Sequence, residues 1–107
     1  MTVLYYRTLG GVIVRSVGHR GLRRLIEDDN PQFLRNDLVD RVRKILTALI
    51  VAKDIVGFVA DAPPGWRVHR LSGARQDEWS VSASGHWRIT FNEEDSYIGR
   101  LNLEDYH

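Results

Sequence analysis

Two places in this 107-residue chain gather side chains able to move protons or bind phosphate oxygens near neutral pH. One is His69, with Arg67 and Arg70 beside it, and the other is the carboxyl-terminal run Glu104-Asp105-Tyr106-His107. An imidazole with a pKa near ~6.5 populates both protonation states around neutrality, which is what acid–base work demands. A carboxylate or phenol next to such a ring can orient it or share its proton. The other two histidines, His19 and His86, read as ordinary surface or capping residues. None of the four is spaced as metal ligands on one element and there is no cysteine, so neither a metal nor a cofactor is expected. The lack of cysteine also rules out a disulfide scaffold and thiolate chemistry.

The basic residues comprise thirteen arginines and two lysines, Lys44 and Lys53, against fourteen acidic residues, giving a net charge of +1. Guanidinium forks bind phosphate bidentately and stack on bases, so this basic set suits RNA, although coding bias alone also enriches arginine. A chain that is 43% hydrophobic and 27% charged at this length builds one domain with one core, read as residues 1–107 with 1–12 as an amino-terminal extension. A site on so small a body is expected to be a surface groove, which favours a large substrate. No apolar run approaches the roughly 20 residues that span a bilayer, and Met1 to Arg15 lacks the order of a signal peptide. A cytoplasmic protein without a membrane partner is expected.

The elements that must hold these groups follow from periodicity. Gly11 to Val17 is apolar and β-branched and reads as a first strand. Leu22, Leu25 and Ile26 have helical spacing after Gly18-His19-Arg20-Gly21, and Asp28-Asp29-Asn30 closes that helix. Asn30 as cap and Pro31 in the first turn open a second helix. Its inner face is Leu34, Leu38, Val42, Ile45 and Leu49, and its outer face carries Asp37–Arg41 and Asp40–Lys44 pairs. Asp61-Ala62-Pro63-Pro64-Gly65 ends the helical half, with Ile55 to Ala60 unassigned. The period then becomes two: Trp66–Leu71, Glu78–Ala83, His86–Asn92 and Ser96–Leu103 read as strands, with hairpin signals at Ser84-Gly85 and Glu93-Glu94-Asp95. Trp79, Val81 and Ala83 oppose Ser80 and Ser82, while Trp87, Ile89 and Phe91 oppose Arg88 and Thr90. The tryptophans read as packing residues. The expected architecture is α+β, β-α-α-β-β-β-β, with two helices on one face of a mainly antiparallel sheet and the other face open.

Three blocks carry a resemblance: Trp66-Arg-Val-His69-Arg-Leu-Ser-Gly73, Trp79-Ser-Val-Ser-Ala-Ser-Gly-His-Trp87-Arg88-Ile-Thr-Phe91, and Leu103-Glu-Asp105-Tyr106-His107. Together with His19-Arg20-Gly21-Leu22 they resemble the HigB-type toxins of the RelE/ParE superfamily, from about Val14 to the last residue. The resemblance implies a RelE-like fold in a type II toxin-antitoxin system, a HigA-like helix-turn-helix antitoxin, and binding in the A site of the small (30S) ribosomal subunit. It implies metal-independent endoribonuclease cleavage of mRNA there. The family's site positions fall on His69, Arg88, Asp105, Tyr106 and His107. Cutting RNA without a metal uses the substrate's 2′-hydroxyl as nucleophile, so a base, an acid and a phosphorane-stabilising cation are required. His69 and His107 are expected to share acid–base duty, Asp105 to position or polarise, Arg88 to hold the scissile phosphate, and Tyr106 to orient or stack on a base. Arg67, Arg70, Arg75 and Arg88 are the expected RNA contacts. A plainer reading pairs Arg88 with Asp105 across adjacent strands.

The chain departs from the resemblance at Ser72, where related toxins commonly carry lysine. Arg70 or Arg75 is expected to compensate. One lost charge-assisted phosphate contact costs about 1.5 to 3 kcal/mol, a ten- to hundredfold effect that does not abolish activity. The alternative function on the same fold is a ParE-like, non-catalytic inhibitor of DNA gyrase, and a weaker one is an inactive remnant that only binds an antitoxin. Two titratable histidines at site positions argue for the nuclease.

Overall fold

The computed structural model describes residues 12–95 and 97–105. Among them, three helices lie against a five-stranded sheet: β1 (Ile13–Val14), α1 (Arg20–Asp28), α2 (Asn36–Val51), α3 (Ile55–Asp61), β2 (His69–Arg70), β3 (Glu78–Ser84), β4 (Trp87–Glu94) and β5 (Tyr97–Asp105). The spatial order is β1-β5-β4-β3-β2, with β1 parallel to β5 and every other neighbour antiparallel. The chain thus starts on one edge of the sheet, crosses its face as helices, and returns at the opposite edge with His69. No helix among the described residues is long and apolar enough to cross a membrane.

The expected inner face of α2 is buried in full: Leu34, just before the helix, and Leu38, Val42, Ile45 and Leu49 pack with Val81, Ile89, Phe91, Ile98 and Leu101 into one core. Trp66 is buried, and Trp79 and Trp87 pack against the core, so the tryptophans are packing residues. Phe58 meets Trp66 and, edge-on, Phe91. His19 caps α1 by accepting the Leu22 amide at Nδ1, and burial lowers its imidazole pKa. Both facts favour the neutral ring that a cap acceptor needs.

Several boundaries differ from the expectations above. α2 starts at Asn36, not Pro31: Asn30 Oδ1 accepts the Gln32 amide, and Pro31 O accepts the Leu34 amide, so these residues form turns that use up the cap before a helix begins. Asp37 pairs with Arg35, because Arg41 reaches across to the Ser82 carbonyl; the Asp40–Lys44 pair is present. Ile55–Asp61 is a third helix, capped by Asp54, whose carboxylate accepts the Gly57 amide. The strand expected at Trp66–Leu71 shrinks to His69–Arg70, because Pro64–Trp66 is a 3-10 turn and Arg67 adopts the left-handed region at φ 48°. The first strand is also short, Ile13–Val14 with an isolated bridge at Val17, and Val12 of the expected extension is buried in the core. Glu93 and Glu94 remain in β4, so the second loop tightens to the turn after Glu94.

The second face of the sheet is not open at its centre. Ser80 is 0% and Thr90 2% exposed, and Glu78 is buried at 9%. A 3-10 turn at Gly73–Arg75, entered with Gly73 at φ 66°, folds Arg75 over this face.

Candidate active site

His69 sits on the edge strand β2, and its Cα partner on β3 is Ser80. The ladder continues from Ser80 to Thr90 and from Thr90 to Asn102, so His69 belongs to the row that crosses the polar face. The left-handed turn at Arg67 brings its carbonyl to 2.7 Å from His69 Nδ1. A carbonyl only accepts, so in the neutral ring Nδ1 carries the hydrogen and Nε2 keeps its lone pair. His69 is exposed and opens on a polar groove of about 160 Å³ lined with Arg70, Leu71, Ser72 and Arg75.

Arg88 lies on the same face of β4, between Ser82 on β3 and Glu104 on β5. Its Nε and Nη1 are shielded from solvent, which anchors the stem of the guanidinium. Arg88 stands two strands from His69 and two residues along from its row, about 12 Å between Cα atoms from ordinary sheet spacings. The ladder puts Glu104, not Asp105, opposite Arg88. Asp105 pairs with Trp87 and shares parity with Leu103, so it leaves the sheet on the helix-bearing side, at the exposed end of β5. The structure therefore brings His69 and Arg88 onto one face and sets Asp105 at the rim. Tyr106 and His107 lie outside the described residues.

The expected RNA contacts divide. Arg67 is exposed, two residues before His69. Arg70 lies over the Trp79 ring, 5.0 Å from its centroid, and faces Glu93 at 3.7 Å. That pair is long and partly exposed, so it is weak, and Arg70 Nη1 also donates to the Gln76 carbonyl at 3.3 Å. Arg75 is held firmly. Its Nε and Nη2 donate to Glu78 at 3.0 and 2.9 Å, and its Nη1 and Nη2 donate to Glu104 at 3.0 and 2.6 Å. Thr90 Oγ1 donates to the same Glu104 carboxylate. Hydrogen bonds from Arg75 hold Glu104 below the ordinary carboxylate pKa against the opposing effect of burial, with Thr90 adding to the lowering. Hydrogen bonds to Glu78 and then Glu104 hold the Arg75 guanidinium above its ordinary value. Glu104 belongs to the carboxyl-terminal run singled out in the sequence, while Glu78 and Thr90 gave no functional signal there. Their common parity on three neighbouring strands was readable, but the turn that delivers Arg75 to them was not.

Three helices on one side of a mainly antiparallel five-stranded sheet, with a polar groove at one edge, make an α+β fold. Among solved structures, the chain is similar to YafQ from E. coli. A point-substituted form superposes with a TM-score of 0.58 at 10% identity, covering 94% of this chain and 93% of that one. A second YafQ structure gives 0.55 at 8% identity, with coverage of 94% and 93%. At these identities the likeness establishes the fold. Residues 15–107 match the family described as the RelE-like toxin of type II toxin-antitoxin system HigB, and the chain belongs to this HigB-like toxin family. It is also 34% identical over 97 residues to the endoribonuclease HigB of Proteus vulgaris, covering 89% of this chain and all of that protein.

Proposed function

We propose that this protein is the toxin of a type II toxin-antitoxin pair and an endoribonuclease that cuts mRNA in the ribosomal A site without a metal. The observation that carries the reading is His69, with Nδ1 occupied by the Arg67 carbonyl and Nε2 facing a polar groove on the same sheet face as Arg88. Family membership and the endoribonuclease relative support it. In this mechanism His69 Nε2 takes the proton of the RNA 2′-hydroxyl, whose oxygen attacks the adjacent phosphorus. Arg88 stabilises the charge that grows on the phosphorane, with Arg67 and Arg70 on the flanking phosphates. His107 returns a proton to the departing 5′-oxygen, while Asp105 positions an imidazole and Tyr106 orients or stacks on a base. The products are a 2′,3′-cyclic phosphate and a 5′-hydroxyl.

A domain with so shallow a groove has few groups to align a flexible RNA, so the ribosome supplies the alignment and naked RNA is cut poorly. The reading places the protein in the cytoplasm with a HigA-like helix-turn-helix antitoxin as its inhibitor. Primer extension on transcripts from cells producing wild type, His69→Ala, Arg88→Ala or His107→Ala tests it. Each variant should lose cleavage by roughly two to four orders of magnitude. Undiminished cleavage in the variants removes the site assignment, and intact transcripts with arrested replication in the wild type point to gyrase instead.

A further inference from the structure

Arg75 is one of the two cations, with Arg70, expected to stand in for the missing lysine at position 72, yet folding commits it elsewhere. Its guanidinium is bound on both edges, by Glu78 at 2.9 Å and Glu104 at 2.6 Å. Two carboxylates around one guanidinium leave the cluster with one net negative charge, which does not attract a phosphodiester. Its three members come from three places: the Gly73–Arg75 turn that helps line the His69 groove, the start of β3, and the end of β5. Glu104 is also the residue immediately before Asp105, and Thr90 at the centre of the face donates to it. One guanidinium therefore joins the groove wall to the last described residues of β5.

We propose that Arg75 and Glu104 are positioning residues, forming a strap that fixes the end of β5 relative to the His69 groove, and that Arg75 is not a phosphate ligand. For its effect on turnover the proposal rests on the nuclease reading above. β2 and β5 are three strand spacings apart, about 14 Å, and are not neighbours in the sheet, so no backbone ladder joins them directly. Concerted proton transfer tolerates little error, since a displacement of about 1 Å can cost roughly a hundredfold in rate. A bidentate guanidinium–carboxylate pair is the stiffest polar link the side chains offer, and here it spans the β5–β4–β3 part of that gap.

The test compares full-length wild type with Arg75→Gln, Arg75→Lys, Glu104→Gln and the double variant Arg75→Gln/Glu104→Gln. Each is assayed for kcat and KM on mRNA-programmed ribosomes, and for the salt dependence of binding to a single-stranded RNA oligonucleotide. The strap predicts that every single variant loses roughly ten- to a hundredfold in kcat. The double variant should be no worse, with KM and salt slope unchanged throughout. A phosphate ligand predicts instead that Arg75→Gln raises KM and reduces the salt slope by about 1. It also predicts that Glu104→Gln tightens RNA binding by releasing the arginine; either result overturns the strap. Arg75→Lys keeps the charge and loses the fork, so thermal melting near that of wild type with lowered kcat supports the proposal, and wild-type kcat overturns it. If the wild type itself cuts nothing, the nuclease reading fails and the strap is judged by amide exchange. Faster exchange at residues 102–105 in Arg75→Gln supports it, and unchanged exchange overturns it.

Discussion

His69 shows how one backbone dihedral sets the chemistry of a side chain two residues away. With Arg67 at φ 48° its carbonyl meets Nδ1, and the ring presents Nε2 outward. An extended Arg67 would leave the tautomer free to exchange. The neighbouring Ser72 lines the same groove and carries no charge. With Arg75 bound to two carboxylates, Arg70 is the other guanidinium on the wall beside His69. Ser72→Lys is accordingly expected to raise kcat/KM on programmed ribosomes by about tenfold, the worth of one charge-assisted phosphate contact. Titrating cleavage against enzyme concentration for both forms measures it.

At the scale of elements, α2 was legible because an apolar stripe at helical spacing admits one burial solution. β3, β4 and β5 were legible because alternation does the same for strands. α3 was not, since Ile55-Val-Gly-Phe-Val-Ala is too short and too uniformly apolar to show a period; Asp54 as cap decides it. β2 was overextended because Trp66 and Val68 alternate with polar neighbours, while the Pro-Pro-Gly turn before them continues into a 3-10 turn. α1 packs on the loop that leads to α2 through Gly21, where a Cβ would stand 2.7 Å from the Phe33 carbonyl and 2.8 Å from Leu34 Cδ2. Backbone cannot yield there as a flexible side chain can. Gly21→Ala is expected to lower stability by about 1–3 kcal/mol, read from the urea midpoint, despite alanine's higher helix propensity.

Across the whole molecule, the helix side of the sheet is closed by hydrocarbon and the other side by charge. Glu104 has its pKa lowered in the folded state, so its contribution is full above the unfolded value of 4.5 and is lost as pH falls through the lower folded value. Glu104→Gln should therefore be less stable than wild type by about 1 kcal/mol at pH 7, allowing for solvent screening, with the two converging in strong acid. Urea unfolding at pH 7 and at successively lower pH checks both ends. The sequence by itself determined the α+β class, the core stripe of α2 and the hairpin ladder, because periodicity and residue type act locally, whereas His69 and Arg88 were singled out by the family resemblance. Only the tertiary structure decided that Arg75 serves two carboxylates, that Asp105 leaves by the helix side, and that Ser80 and Thr90 are covered. Those outcomes depend on register, on a bulge and on where a short turn lands, and each is fixed by contacts between segments distant in the chain.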